Sequence, residues 1–336
     1  MPRSIGSPAA TPAGCGPSAT DAVVRVSFGL PAHRVDAPAL LDGPGLAALA
    51  AGAEAAGFDA AYVTEHPFPG DGWLAAGGHH ALDPMVALAI AAGATSRLRL
   101  HTNLYIPAYR NPFLAAKAVS SLDVVSGGRV ILGVGAGYLE PEFAALGADF
   151  AHRNDRLDQA LAAMKAAWSG ATVTASGEGW RAPGNTMLPR PVQRPHPPIW
   201  VGGNSPRALR RAVEHGDGWS PFPVGRTGAG VTRTRPLASA TDLRERLEQG
   251  AELAAVVGRT EPLEVCFVPR GLGMGPGEVA PAAVVESCHE LAAAGVTWVS
   301  VALPGGTVEA QLDAVAAFGE QVLPSVHPLE PGFRVV

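Results

Sequence analysis

The run Tyr62-Val63-Thr64-Glu65-His66-Pro67 sets a carboxylate beside an imidazole at the end of a short β-rich segment. Histidine titrates near neutrality, so His66 suits the role of a group that takes or gives a proton while hydride moves elsewhere, with Glu65 orienting it. The same residues also suit plainer roles, Glu65 as a local cap or ion-pair partner and His66 as packing for the following loop. His79 and His80 would have to join His66 to make a metal site. No HxxxH or CxxC spacing accompanies them, so no metal is expected.

Two glycine-bearing turns suit the binding of a flat ring or a phosphate. In Gly128-Arg129-Val130-Ile131-Leu132-Gly133-Val134-Gly135-Ala136-Gly137-Tyr138 a buried strand runs into glycines that allow close approach of the backbone. The pattern is GxGxG rather than the dinucleotide GxGxxG, and it follows a fourth strand rather than a first. In Pro198-Ile199-Trp200-Val201-Gly202-Gly203-Asn204-Ser205-Pro206-Arg207 a strand leads through a glycine pair to a capping residue and a proline suited to a first helical turn. Such a helix start binds anions; Asn204 and Ser205 would add hydrogen bonds and Arg207 a bidentate charge. An ordinary capped helix would read the same way.

Eight strand-then-helix units are needed to place these turns, and eight are legible. They are 23–30 with 45–56, 59–63 with 84–94, 98–103 with 113–126, and 130–134 with 154–168. After a Pro-rich insertion come 198–201 with 206–215, 218–220 with 242–257, 263–268 with 282–294, and 297–302 with 308–323. Eight parallel strands each followed by a helix close into a (β/α)8 TIM barrel, whose chemistry lies just after the strands. Composition agrees: 47% of the 336 residues are hydrophobic but only 6% aromatic, a core of Ala, Val and Leu suited to helices on a parallel sheet.

A formal charge of -5 without a basic stripe argues against nucleic acid and for a small-molecule substrate. Cys15, Cys266 and Cys288 form no disulfide framework, and no run is apolar enough to span a membrane, so a cytoplasmic location is expected. Residues 1–21 read as a disordered leader without the marks of a secretory signal, and 22–336 as one barrel domain.

Taken together, Thr64-Glu65-His66, Tyr109-Arg110-Asn111-Pro112, Ser126-Gly127-Gly128-Arg129, the glycine turn ending at Tyr138, Glu142-Phe143-Ala144-Ala145-Leu146-Gly147, and Gly202-Gly203-Asn204-Ser205-Pro206-Arg207 with Gly216-Asp217-Gly218-Trp219 resemble the luciferase-like monooxygenase superfamily. The resemblance runs over residues 23–325 and points to the branch of oxidoreductases that use the deazaflavin coenzyme F420, with FMN as the alternative. It implies a luciferase-like barrel with the tricyclic ring across its mouth and a non-prolyl cis peptide at Asn103-Leu104 behind the ring. Ala136 and Gly137, with Tyr138, would meet the ring or its side chain; Gly202, Gly203 and Asn204, with Ser205 and Arg207, would hold the phosphate. Glu65 and His66 would face the reacting edge, and the resemblance leaves a homodimer open, since the family often dimerises, without fixing the oligomeric state.

Two departures bear on substrate. The resembling sugar-phosphate dehydrogenases carry an acid where Tyr138 stands and a phosphate-binding lysine beyond the sixth strand, where this chain has Ser220-Pro221-Phe222-Pro223-Val224-Gly225-Arg226. The segment 225–240, with Arg226, Arg233 and Arg235, reads either as a solvated loop or as a lid over an anionic cofactor tail. The expected activity is hydride transfer to or from a small metabolite with an activated C=C, C=N or C=O. An FMN monooxygenase and a non-catalytic flavin-binding barrel are the rivals.

Overall fold

In the computed structural model, which describes residues 24–270, 272 and 280–327, eight parallel strands close into a barrel. Numbered in chain order, the strands are β1 (Arg25–Gly29), β2 (Ala60–Val63), β3 (Arg99–Tyr105), β4 (Val130–Val134), β5 (Val173–Gly177), β6 (Trp180–Asn185), β7 (Ile199–Gly202), β8 (Gly218–Ser220), β9 (Glu264–Phe267) and β10 (Trp298–Val301). Around the barrel the order is β1, β2, β3, β4, β7, β8, β9, β10, and β10 pairs back onto β1 through Arg25 and Trp298. The strands read as apolar runs because both faces are covered, by helices outside and by side chains within. Inside, Ala60, Ile131, Trp200, Cys266 and Trp298 form their own buried cluster. Burial pushes the Cys266 thiol up to about 12, so it packs as an apolar group. The expected leader, 1–21, lies outside the described residues.

The insertion before β7 is more ordered in pattern than its sequence announces. β5 and β6 pair as an antiparallel hairpin about a turn at Glu178 and Gly179. Of its strand residues only Val173 and Ala182 are buried, so no alternation of apolar side chains marked it. The chain returns to the barrel through Asp123, a wholly buried carboxylate on the helix Pro112–Val125. Asp123 accepts from Val192 N at 2.7 Å, Gln193 N at 3.0 Å and Gln193 Nε2 at 2.7 Å. Asp123→Ala strips these donors of their acceptor in a dry site and should cost about 2–3 kcal/mol in urea denaturation; a loss under about 0.5 kcal/mol would mean water replaces the carboxylate.

The segment 225–240 is anchored rather than a free loop. It holds a helix, Arg226–Val231, and an antiparallel bridge between Val224 and Leu237, with Leu237 fully buried. Among the described residues, no helix is long and apolar enough to cross a membrane.

Candidate active site

A cavity of about 510 Å³ opens at the ends of the strands, and most of the expected site residues line it. Those are Glu65, His66, Asn103, Leu104, Ala136, Gly137, Tyr138, Gly202, Gly203 and Ser205. Asn204 and Arg207 are not among its lining residues. Asn204 is buried and donates from Nδ2 to the carbonyls of Phe222 and Arg235, while its Oδ1 accepts from Phe222 N. Its amide therefore ties down the segment after β8. Arg207 points from the helix Pro206–His215 to Asp155 and Asp158, at 2.5 and 2.8 Å. One turn further on, Arg211 reaches the cavity wall and is nearly buried, ion-paired with Asp158.

The floor is shaped by β3. The Asn103-Leu104 peptide is cis, and the β3–β4 register is irregular between Thr102 and Tyr105. Leu104 consequently lies against the glycines: a Cβ at Gly202 would overlap Leu104 Cδ1, and one at Gly135 would sit 3.1 Å from Leu104 Cδ1 and Ile106 Cδ1. Gly137 and Gly203 both have positive φ, 76° and 104°, which glycine adopts without strain. The absence of side chains at Gly135, Gly137 and Gly202 lets Leu104, Ile106 and Phe143 close against the backbone beneath the cavity.

On one flank His66 and Glu65, both buried, face different partners because successive residues of extended chain point opposite ways. Glu65 accepts from Ile106 N at 2.6 Å and from the Arg110 guanidinium, and does not orient His66 as the sequence suggested. Burial pushes the Glu65 carboxyl up to about 7 against the pull of Arg110. The carboxylate that meets His66 is Glu142, whose Oε2 lies 3.4 Å from His66 Nδ1. Glu142 is fully buried and also accepts from Tyr109 Oη at 2.7 Å and Phe68 N at 3.0 Å. Burial works to raise its pKa, but the bonds from His66 and Tyr109 outweigh it and hold the carboxyl below its ordinary value. With Nδ1 so engaged, His66 offers Nε2 to the cavity.

The sequence reading missed the role of Glu142, although it quoted that residue within a motif. It lies on the short helix Glu140–Ala145, 76 positions from His66, and only the closure of β2, β3 and β4 brings the two together. The other missed residue is Arg153, which joins Arg233 of the segment 225–240 at Phe150, their guanidinium carbons lying 4.0 and 4.6 Å from its ring centroid. Both line the cavity, as does Ser205, whose hydroxyl caps the helix Pro206–His215 by accepting from Ala208 N. Arg233 is bonded to Glu140 at 3.0 Å.

Comparison with known proteins matches the chain, rather than the site itself, to a known family. The family profile described as Luciferase-like monooxygenase matches residues 28–265. An F420-dependent hydroxymycolic acid dehydrogenase of Mycobacterium tuberculosis is 31% identical over 229 residues, covering 63% of this chain and 59% of that protein. An F420-dependent glucose-6-phosphate dehydrogenase of Beutenbergia cavernae is 37% identical over 171 residues, 50% of this chain and 49% of that protein. The chain thus spans between about half and three-fifths of the lengths of these two relatives. Among solved structures, a monooxygenase from Streptomyces bottropensis superposes with a TM-score of 0.70 at 23% identity, covering 90% of this chain and 99% of that one, a likeness of fold.

Proposed function

Because the chain belongs to the luciferase-like monooxygenase family and is an oxidoreductase of that family, we propose that it is an F420-dependent oxidoreductase acting on a small organic metabolite. The observation that carries this reading is the make-up of the cavity at the strand ends. One cavity is lined by His66, which pairs with the buried Glu142, by Gly135, Gly137, Gly202 and Gly203, by Ser205, which caps the helix Pro206–His215, and by Arg153 and Arg233. Gly202, Gly203, Ser205 and the start of the helix Pro206–His215 fit a phosphate, with the Arg207 N–H as the first-turn donor, since Pro206 carries none and Ser205 takes Ala208 N. Ala136, Gly137 and the Asn103-Leu104 turn fit a flat ring. The deazaflavin would supply hydride exchange at its C5.

This chain's own residues would do the rest. His66 would hold or take the proton at Nε2, and Glu142 would fix the ring by binding Nδ1. The apolar floor around Leu104 and Ile106 would exclude water from the reacting face. Arg153 and Arg233 favour F420 over FMN, because the deazaflavin carries acidic groups beyond its phosphate whereas FMN ends there.

Titration of the purified protein with each cofactor, followed by tryptophan fluorescence, tests the reading. F420 should bind tightly, and Arg153→Ala or Arg233→Ala should each weaken it about tenfold, the worth of one charge-assisted hydrogen bond, while FMN affinity changes less. Tight FMN binding with no affinity for F420 would assign the site to a flavin monooxygenase instead.

A further inference from the structure

The cavity at the strand ends also reaches into the barrel itself. Tyr62 of β2, Ser220 of β8 and Ser300 of β10 line it from within their strands, whereas the charged residues that line it, Glu65, Arg153, Arg211 and Arg233, stand beyond the strands. Gly29 of β1 makes room for the phenol, since a Cβ there would sit 2.7 Å from Tyr62 Oη. β9 runs between β8 and β10, and the two serines flank its Cys266. Burial drives that thiol up and the serine hydroxyls offset part of the rise, while Tyr62 is close enough for a thiolate there to oppose its own ionisation. The three hydroxyls therefore gather around one buried sulfur.

What these hydroxyls lack is a strong acceptor. Ser27, which pairs in register with Ser300 but does not line the cavity, has a ring nitrogen to bond, His101 Nδ1 at 3.3 Å. Among the described residues, Ser220 and Ser300 are offered only the Cys266 sulfur, and Tyr62 Oη has no side-chain hydrogen-bond partner. A thiol sulfur is a weak acceptor. Burial pushes the Tyr62 phenol up, so it stays protonated, and all three groups keep an O–H to donate. A ligand oxygen that enters between them supplies the acceptor that sulfur does not, and relieves the cost of donors held out of bulk water.

We propose that Tyr62, Ser220 and Ser300 form a carbonyl-binding subsite at the inner end of the cavity, their hydroxyls donating to an oxygen of the bound ligand. That oxygen comes either from a ring carbonyl of the deazaflavin or from the carbonyl of a substrate. The subsite rests on the proposed function only where the ligand is F420. It leaves proton transfer with His66, and the anionic part of a ligand with Arg153 and Arg233. Its own part is to fix how far the ligand enters the barrel and which edge leads.

Two titrations of the full chain test this. The first, by saturation-transfer NMR without added cofactor, compares cyclohexanone with methylenecyclohexane, rings of one shape of which only the ketone carries an acceptor. The second, by calorimetry, uses F420. Tyr62→Phe, Ser220→Ala and Ser300→Ala each remove one hydroxyl and little else. Each should lower the preference for the ketone over the alkene, or the affinity for F420, about three- to tenfold, the worth of one neutral hydrogen bond. Loss in the first titration assigns the subsite to the substrate and loss in the second to the cofactor. Ser27→Ala removes a hydroxyl already engaged by His101 and should change neither quantity. The proposal is overturned if neither quantity falls in at least two of the three variants, the hydroxyls then being met by water or by Cys266 alone, or if Ser27→Ala causes an equal loss. Should F420 not bind at all, the proposed function falls, and the cyclohexanone titration still decides whether the subsite exists.

Discussion

Arg110→Ala should lower folding stability by about 3–5 kcal/mol above pH 8 and by much less at pH 5. Glu65 is almost wholly buried beside Arg110, which itself stacks 4.3 Å from the Tyr105 ring centroid. The Glu65 carboxyl has an ordinary value near 4.5 and is pushed up to about 7 in the fold by burial, the guanidinium limiting that rise. A carboxyl raised by folding adds stability that is complete below its unfolded value and disappears as pH climbs through its folded value. Without Arg110 the folded value climbs further, so parent and variant both hold a neutral Glu65 at pH 5 and differ mainly by one hydrogen bond. Above pH 7 the parent holds a paired carboxylate, whereas the variant must either bury an unpaired one or bind a proton against the solvent. Urea denaturation at pH 5 and at pH 8.5 reads the difference, and a gap of equal size at both would show that Glu65 is not its source. Glu65→Gln combined with Arg110→Ala should recover part of the loss at the higher pH, because the double variant buries no charge.

The barrel was legible because its eight units repeat a local pattern. Every barrel strand of the structure overlaps a run picked out by its apolar residues, and β4 and β8 coincide with the expected 130–134 and 218–220. Helix bounds were marked by capping chemistry that acts within a turn: Asp83 accepts from Met85 N and Val86 N, and Ser205 from Ala208 N, each just before a proline. The hairpin β5–β6 escaped because its exposed Thr, Ser, Arg and Gly positions carry no period. In the cavity, backbone features were legible and partnerships were not. Glycines at 135, 137, 202 and 203 announce themselves, since no other residue fits the close approach of Leu104 and Phe143 or the positive φ values. The pairing of Glu65 with Arg110 and of His66 with Glu142 depends on which way side chains point from neighbouring strands, and adjacency in the sequence suggested the wrong pair. Arg207 and Arg211 show the same limit. They share a helix face one turn apart, and the depth of each relative to Asp158 decides which one reaches the cavity.

His66→Ala should reduce kcat about 100- to 10,000-fold, the range that a positioned proton-transfer group supplies, with cofactor affinity little changed. Added imidazole should restore part of the rate, which a purely structural defect would not allow. Glu142→Gln keeps the shape of the side chain but weakens its hold on His66 Nδ1 and Tyr109 Oη. It should lower kcat about tenfold, the effect of one charge-assisted bond on ring orientation, while KM moves less. The informative comparison is with Glu65→Gln. Glu65 and His66 are neighbours in the chain, yet the Glu65 oxygens are spent on Ile106 N–H and Arg110. That substitution should therefore act mainly on stability and lose less turnover than Glu142→Gln. If the two carboxylate variants, both folded, lose kcat equally, then Glu142 is not what positions His66. In that case proton transfer runs through the Glu65–Arg110 pair, whose carboxyl, pushed up to about 7, would itself be poised to exchange a proton at neutral pH.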